Sequence, residues 1–276
     1  MNLFEKILYF LQGEMNEPEA FGWFHILWLI LVVVAILILY SRKKYYNEKQ
    51  LKWILGIYGF VALILEILKQ LIWSFNYDIT TNVVSWDYQW YAFPFQLCTT
   101  PIFVSIICLF LKKGKLRDSL LSYMAYITIL GSISTIIVPD SCFINDILVN
   151  IHTMWLHLGS FVVSVYLLMS GEVKTNIQSL KRAIGIFLIL VVIANFMNIF
   201  VYNTGILKGE TFNMFFISPY FISTLPVFDV IQRNVPYLIY LLIYIWILIV
   251  GGLIIFRISI IVKEIYKKIM SKQINI

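Results

Sequence analysis

Charge is what this sequence has least of. Only 13% of its 276 residues are Asp, Glu, Lys or Arg, against about 25% in a soluble globular domain. That excludes a soluble enzyme with a large core. Cysteine is also scarce, with Cys98, Cys108 and Cys142 alone. Three thiols with no CxxC pair make neither a disulfide framework nor a zinc site. The three histidines are His25, His152 and His157. His152 and His157 are five apart, which puts them on different faces of a helix and off the i, i+4 spacing of paired metal ligands. No metal and no other cofactor is expected. There is no internal repeat, low-complexity tract or soluble domain. Residues 1–16 contain neither a long apolar run nor a small-residue cleavage site, so no secretory signal peptide is expected. In a soluble chain a net charge of +6 would suggest nucleic acid. Here it is assigned to the loops of a membrane protein, and no nucleic-acid partner is expected.

What the chain does have is apolar sequence, 61% of it. Seven stretches approach the roughly 20 residues that a bilayer requires: about 21–40, 51–74, 95–111, 119–138, 151–170, 183–203 and 236–261. The expected fold is all-α, a polytopic seven-transmembrane-helix bundle forming one domain over 1–276. Before it, Leu3, Phe4, Ile7, Leu8 and Leu11 recur at helical spacing, which predicts a short interfacial helix within 1–20. The bundle occupies 21–261, and a basic tail follows at 262–276.

Basic residues concentrate in alternate loops: Arg42, Lys43, Lys44, Lys49 and Lys52; Lys112, Lys113, Lys115 and Arg117; Lys174, Lys181 and Arg182; and the C-terminal cluster from Arg257 to Lys272. The positive-inside rule makes these loops and the tail cytoplasmic and the N-terminus external. The expected location is the cell membrane. The segment 204–235 is apolar and aromatic in its middle, but Pro219 and Pro226 interrupt it. It reads as an external re-entrant or interfacial loop, or a lid.

The stretch Tyr91–Pro101 (YAFPFQLCTTP) organises the rest. It places Gln96, Cys98, Thr99 and Thr100 together between Pro94 and Pro101. Pro101 either opens a helix or frees the Leu97 carbonyl four residues back. Irregular backbone at membrane depth survives only where protein or water covers it, so this stretch reads as the wall of a site. On the topology above, other polar residues fall in the same half of the membrane: His25, Glu66 and Lys69, His152 and His157, Asn195 and Asn198. Buried polar groups in hydrocarbon should face the bundle interior and pair.

Most of these residues have more than one reading. Glu66 and Lys69, three apart, form a self-neutralising ion pair, or Lys69 holds a phosphate or carboxylate headgroup. Asn195 and Asn198 make interhelical hydrogen bonds, or touch substrate. Cys108 is a buried apolar residue. Cys98 is the same, or forms a disulfide with Cys142, or is a nucleophile activated by a histidine such as His157. In the last case an acyl-thioester forms, and the Thr99 and Thr100 hydroxyls or freed backbone N–H groups stabilise the oxyanion.

Trp86, then Phe93-Pro-Phe-Gln-Leu-Cys98, then Trp155-Leu-His-Leu-Gly159 resemble the YwaF-like integral membrane proteins of bacteria, related to the eukaryotic transmembrane protein 164 family. Asn195-Phe-Met-Asn198 and Pro236-Tyr237 add to the resemblance, which covers roughly 20–260. The family pattern often has histidine where this chain has Gln96. The eukaryotic members are similar to lipid acyltransferases that work through a cysteine, and the group also looks related to threonine-dependent lipid hydrolases. The resemblance implies Cys98 as nucleophile and His157 as general base, with phospholipid and lysophospholipid as substrates. Gln96, Thr99, Thr100, Glu66, Lys69, Asn195, Asn198 and His152 are the expected supporting residues. A lipid hydrolase on the same site, or a small-solute transporter or ligand-binding protein with an outward-facing polar pocket, is the alternative.

Overall fold

A computed structural model describes residues 1–139 and 142–274. It is helical nearly throughout. The helices are α1 (Leu3–Leu11), α2 (Trp23–Ser41), α3 (Glu48–Ser74), α4 (Thr100–Phe110), α5 (Lys115–Ile137), α6 (Ile147–Ser170), α7 (Ile177–Asn203), α8 (Phe228–Asn234) and α9 (Tyr237–Ile274). Among the described residues, α2, α3, α5, α6, α7 and α9 are long and apolar enough to cross a membrane. At 1.5 Å per residue the eleven residues of α4 span about 16 Å, half a bilayer core. The expected third span, 95–111, is therefore only part helix. Residues 94–99 form an irregular turn at its entry.

Helix starts follow their capping residues. Asn2 and Glu5 form a reciprocal box, Asn2 Oδ1 accepting from Glu5 N at 2.9 Å and Glu5 Oε2 from Asn2 N at 2.6 Å. Asn47, Asp146 and Asn176 accept from Gln50 N, Val149 N and Ser179 N to start α3, α6 and α7. Each satisfies a first-turn donor that the helix itself leaves unpaired. Apolar residues cover the outside as well as the core. Val33 and Leu37 of α2, Val192 and Phe196 of α7, and Leu242 and Trp246 of α9 are all exposed. Helices apolar on every face are stable in hydrocarbon, not in water.

Helix α6 is central, packing on α2, α3 and α5, while α3 also packs on α4 and α5 on α7. Residues Met124–Thr128 of α5 form a π-helical turn, and Met124 to Ile127 are fully buried. Gly252 of α9 allows this approach: a Cβ there would lie 2.8 Å from Ile127 Cδ1 and 3.2 Å from the Tyr126 carbonyl oxygen.

Ion pairs join the basic loops at one end of the bundle. Arg117 is held by both Glu48 oxygens at 2.7 and 3.0 Å, Lys113 lies 3.3 Å from Glu48, and Arg182 lies 3.1 Å from Asp118. Burial of the Arg117 guanidinium, 3% exposed, is offset by that two-pronged pair. At the other end, the aromatic stretch after α3 contains an antiparallel hairpin that the sequence did not suggest, β1 (Phe75–Asp78) with β2 (Val83–Trp86). Helix α1 packs beside it on α3, with Leu8 buried and Leu3, Phe4 and Phe10 exposed.

Segment 204–235 forms no crossing helix. Phe212, Met214, Phe215 and Ile217 are fully buried, so its middle is core and not a surface loop. Residues 262–274, expected as a tail, continue α9 as helix; 275–276 lie outside the described residues.

Candidate functional site

Glu66 and Lys69 lie one turn apart on α3, which brings them together. Lys69 Nζ is 2.8 Å from Glu66 Oε1 and 3.0 Å from Oε2. A third partner arrives from another helix: His152 Nε2 of α6 stands 2.9 Å from Glu66 Oε2. Gln70 Nε2 donates to Glu66 Oε1 at 2.7 Å and to the Ala92 carbonyl at 2.6 Å. Glu66, Lys69 and His152 are 2%, 7% and 3% exposed. A carboxylate removed from water is strongly unfavourable alone; here Lys69 and Gln70 donate to it, and the His152 ring lies beside it. Sequence spacing predicted the Glu66–Lys69 pair. Nothing in it placed His152 there, because that contact joins two helices. The Lys69 ammonium also lies 5.5 Å from the Trp73 ring. Trp73 lines an open cavity of about 660 Å³ with Tyr9, Gln12, Glu14, Ile72 and Asp146.

The turn before α4 carries Cys98. Thr99 Oγ1 accepts from Gln96 N at 2.8 Å and donates to Gln96 O at 2.9 Å. Thr100 Oγ1 donates to Leu97 O at 2.8 Å and contacts the Tyr123 hydroxyl at 2.8 Å. The Leu97 carbonyl, which proline at 101 deprives of its helical donor, is thus satisfied by a side chain. Both threonine hydrogens are committed to backbone carbonyls and are not available to an oxyanion. The N–H groups of Gln96, Thr99 and Thr100 are also bonded. Those of Leu97 and Cys98 meet no acceptor of another residue among the described residues.

Cys98 is half-buried and within electrostatic range of Lys69, Glu66 and Cys142. No disulfide joins Cys98, Cys108 or Cys142 among the described residues. The Cys98–Cys142 disulfide is therefore not formed; Cys142 Sγ instead faces Thr135 Oγ1 at 3.9 Å. Among the described residues no hydrogen bond joins Cys98 to His157. The His157 imidazole is bonded to the Gly131 backbone and interacts electrostatically with His152. His25 accepts from Phe21 N at 3.2 Å at the start of α2.

Gln96, Asn195 and Asn198 serve segment 204–235. Gln96 Nε2 donates to Asn213 O at 2.9 Å, and its Oε1 accepts from Phe215 N at 2.8 Å. Asn198 donates to Met214 O at 3.0 Å and accepts from Met214 N at 2.7 Å. Asn195 Oδ1 accepts from the Tyr237 hydroxyl at 2.5 Å, which also lies 3.0 Å from Ile217 O. Phe215 and Phe216 have φ of 57° and 59°, a conformation unfavourable for bulky residues. The two side-chain amides clamp it in place. Among the described residues no three His, Cys, Asp or Glu side chains are arranged to hold a metal ion.

A free thiol on an irregular turn, beside a buried ion cluster, inside helices apolar on their outer faces: this defines a multi-pass helical membrane protein with an internal polar site. A model of the TMEM164 family matches residues 20–258, and the chain belongs to that family. No curated protein and no solved structure matches it.

Proposed function

We propose that this protein is a membrane-embedded lipid acyltransferase with Cys98 as its nucleophile and His157 as its general base. One observation carries the reading. Cys98 sits beside two backbone N–H groups that meet no acceptor on another residue among the described residues, within range of the buried Glu66–Lys69 pair that His152 adjoins, and within the family match. Free N–H groups at the nucleophile are what a tetrahedral intermediate requires.

His157 takes the Cys98 proton, and Sγ attacks the ester carbonyl carbon of a phospholipid. The C–O bond breaks, the proton passes to the departing oxygen, and a lysophospholipid leaves an acyl-thioester. The hydroxyl of a second lysophospholipid then attacks that thioester and restores the thiol. Catalytic hydrogen bonds often tighten only once substrate is bound, so His157 meets Cys98 in the loaded state. Lys69 receives the headgroup phosphate. The reaction faces the outer leaflet, on the orientation that the basic loops imply.

The test is to incubate purified protein with phospholipid vesicles and read peptide masses, with hydroxylamine as control. The reading expects a hydroxylamine-labile acyl mass on the Cys98 peptide that is absent in Cys98→Ala and accumulates slowly in His157→Ala. Free Cys98 under every lipid condition overturns it and favours a transport or binding role. Thioester discharge to water and not to lysophospholipid makes the protein a hydrolase.

A further inference from the structure

Another polar cavity lies at the end of the bundle where the basic loops meet. It holds about 230 Å³ and is lined by Asp118 and Ser122 of α5, Glu172 and Lys174 of the loop 171–176, and Ser179 and Arg182 of α7. A water molecule takes about 30 Å³ of the liquid, so the cavity has room for a phosphate group and the few atoms attached to it.

Two of these side chains have donors to spare. Arg182 gives Nη1 to Asp118 Oδ2 at 3.1 Å. Its Nε–H is buried and meets no acceptor, and its Nη2 bonds to nothing among the described residues. Nε–H and one Nη2–H point the same way, forming the planar fork that grips two oxygens of one oxyanion. Ser179 is 5% exposed. Its N–H bonds to Asn176 Oδ1 at 2.9 Å, while its hydroxyl has no partner among the described residues. Buried donors without acceptors are unfavourable and call for an explanation. Ser122, in contrast, is committed to the Asp118 carbonyl at 2.6 Å.

The charges set what fits. Asp118 pairs with Arg182, and Glu172 lies 3.8 Å from Arg117, which also holds Glu48 with Lys113. Lys174 enters no ion pair among the described residues. Lys113, Arg117, Lys174 and Arg182 thus face Glu48, Asp118 and Glu172, leaving one positive charge. A phosphodiester carries one negative charge, whereas a phosphate monoester approaches two at neutral pH. The neighbouring carboxylates oppose the second charge. Leu116 and Ile177, in the first turns of α5 and α7, are 57% and 55% exposed. Ser122 and Arg182 lie about 9 and 8 Å further along the same helices. The cavity therefore adjoins apolar surface suited to acyl chains.

We propose that this cavity holds the phosphodiester of a phospholipid headgroup, in the leaflet at the basic end of the bundle. Arg182 Nε and Nη2 grip two phosphate oxygens, and the Ser179 hydroxyl donates to one of them. Pockets of this kind between membrane helices are where lipid headgroups bind. The bound lipid ties the start of α5 to the start of α7 and stabilises the fold by mass action. The site is separate from the Cys98 turn and does not depend on the reading of Cys98 as nucleophile.

The experiment follows the melting temperature of the purified full-length protein in dodecyl maltoside, an uncharged detergent. The probes are dihexanoylphosphatidylglycerol, dihexanoylglycerol and sodium phosphate, at matched ionic strength. The first should raise the melting temperature to saturation. Dihexanoylglycerol, which lacks the phosphodiester, should not, and sodium phosphate should need at least about 10-fold more. Arg182→Lys keeps the charge and loses the fork, so its half-saturating concentration should rise about 10- to 100-fold. Asp118→Asn keeps the fork and should bind at least as tightly as the wild type. Equal shifts from dihexanoylglycerol, or wild-type binding in Arg182→Lys, overturn the proposal. Saturation by sodium phosphate at the same concentration overturns the lipid as the source. If Arg182→Lys fails to fold, Ser179→Ala decides: about 3- to 10-fold weaker binding supports the site, and unchanged binding overturns it.

Discussion

Gln96, at the entry to α4, and Asn198, in α7, grip one short turn. Between them they satisfy Asn213 O, Met214 N, Met214 O and Phe215 N, at 2.7 to 3.0 Å. The Cys98 turn and the buried segment 212–217 are therefore one unit, since Gln96 belongs to the first and holds the second.

Replacing either amide with an isosteric apolar side chain should show this. Gln96→Leu leaves a carbonyl and an N–H of the segment buried without partners. At about 1–3 kcal/mol for each, the expected destabilisation is about 2–6 kcal/mol, with Asn198→Leu similar. Thermal unfolding in detergent measures it. Melting temperatures unchanged within error would show that the clamp holds nothing.

The Glu66–Lys69–His152 cluster makes a second prediction. Glu66→Gln strands a buried ammonium, and breaking a buried pair from one side costs about 3–5 kcal/mol. Lys69→Met strands the carboxylate with only Gln70 and His152 left. The double variant Glu66→Gln/Lys69→Met removes both charges and should be more stable than the sum of the single losses predicts. A double-mutant cycle on unfolding free energies reads the coupling, and strict additivity would mean that the two charges act independently.

Gly159 provides a packing test. A Cβ there would lie 2.9 Å from Tyr58 Cδ2 and 3.0 Å from Cε2, too close for a ring pinned by its bond to Leu156. Gly159→Ala should cost about 1–3 kcal/mol, the usual range for overpacking. Gly185→Ala, with open space around it, should cost nothing and serves as the control, since alanine gains helix propensity.

Acid should reach the exposed hairpin late. Hydrogen bonds from the Thr80 and Thr81 hydroxyls and N–H groups hold the Asp78 carboxyl down to about 2, below its ordinary value of 3.8. A depressed carboxyl stabilises the fold above the unfolded value, and that contribution disappears as pH falls through the folded one. The turn should stay ordered through pH 3 and loosen near pH 2. Hydrogen exchange at Thr80 and Thr81 against pH reads this directly, and loosening already at pH 4 would contradict it.

Much of the architecture was legible along the chain because hydrocarbon imposes a simple rule. A crossing helix needs a long apolar run, and the runs at 21–40, 51–74, 119–138, 151–170, 183–203 and 236–261 each correspond to a long helix. The i, i+3 spacing of Glu66 and Lys69 was equally legible, since one helical turn guarantees their approach. Pro101 announced the irregular turn before α4, and the Thr100 hydroxyl donates to the carbonyl that it frees.

The remainder depended on contacts between segments far apart in sequence. His152 joins Glu66 only because α6 packs on α3. Gln96 and Asn198 read as site residues by type and depth, yet the fold spends both on the backbone of 213–215. The β1–β2 hairpin and the burial of Phe212 to Ile217 left no periodic signal. The sequence by itself determined a multi-pass helical membrane protein, because hydropathy and helical spacing are local properties. Only the tertiary structure decided which polar groups are committed and which are free, because every hydrogen bond has a partner and that partner lies on another segment.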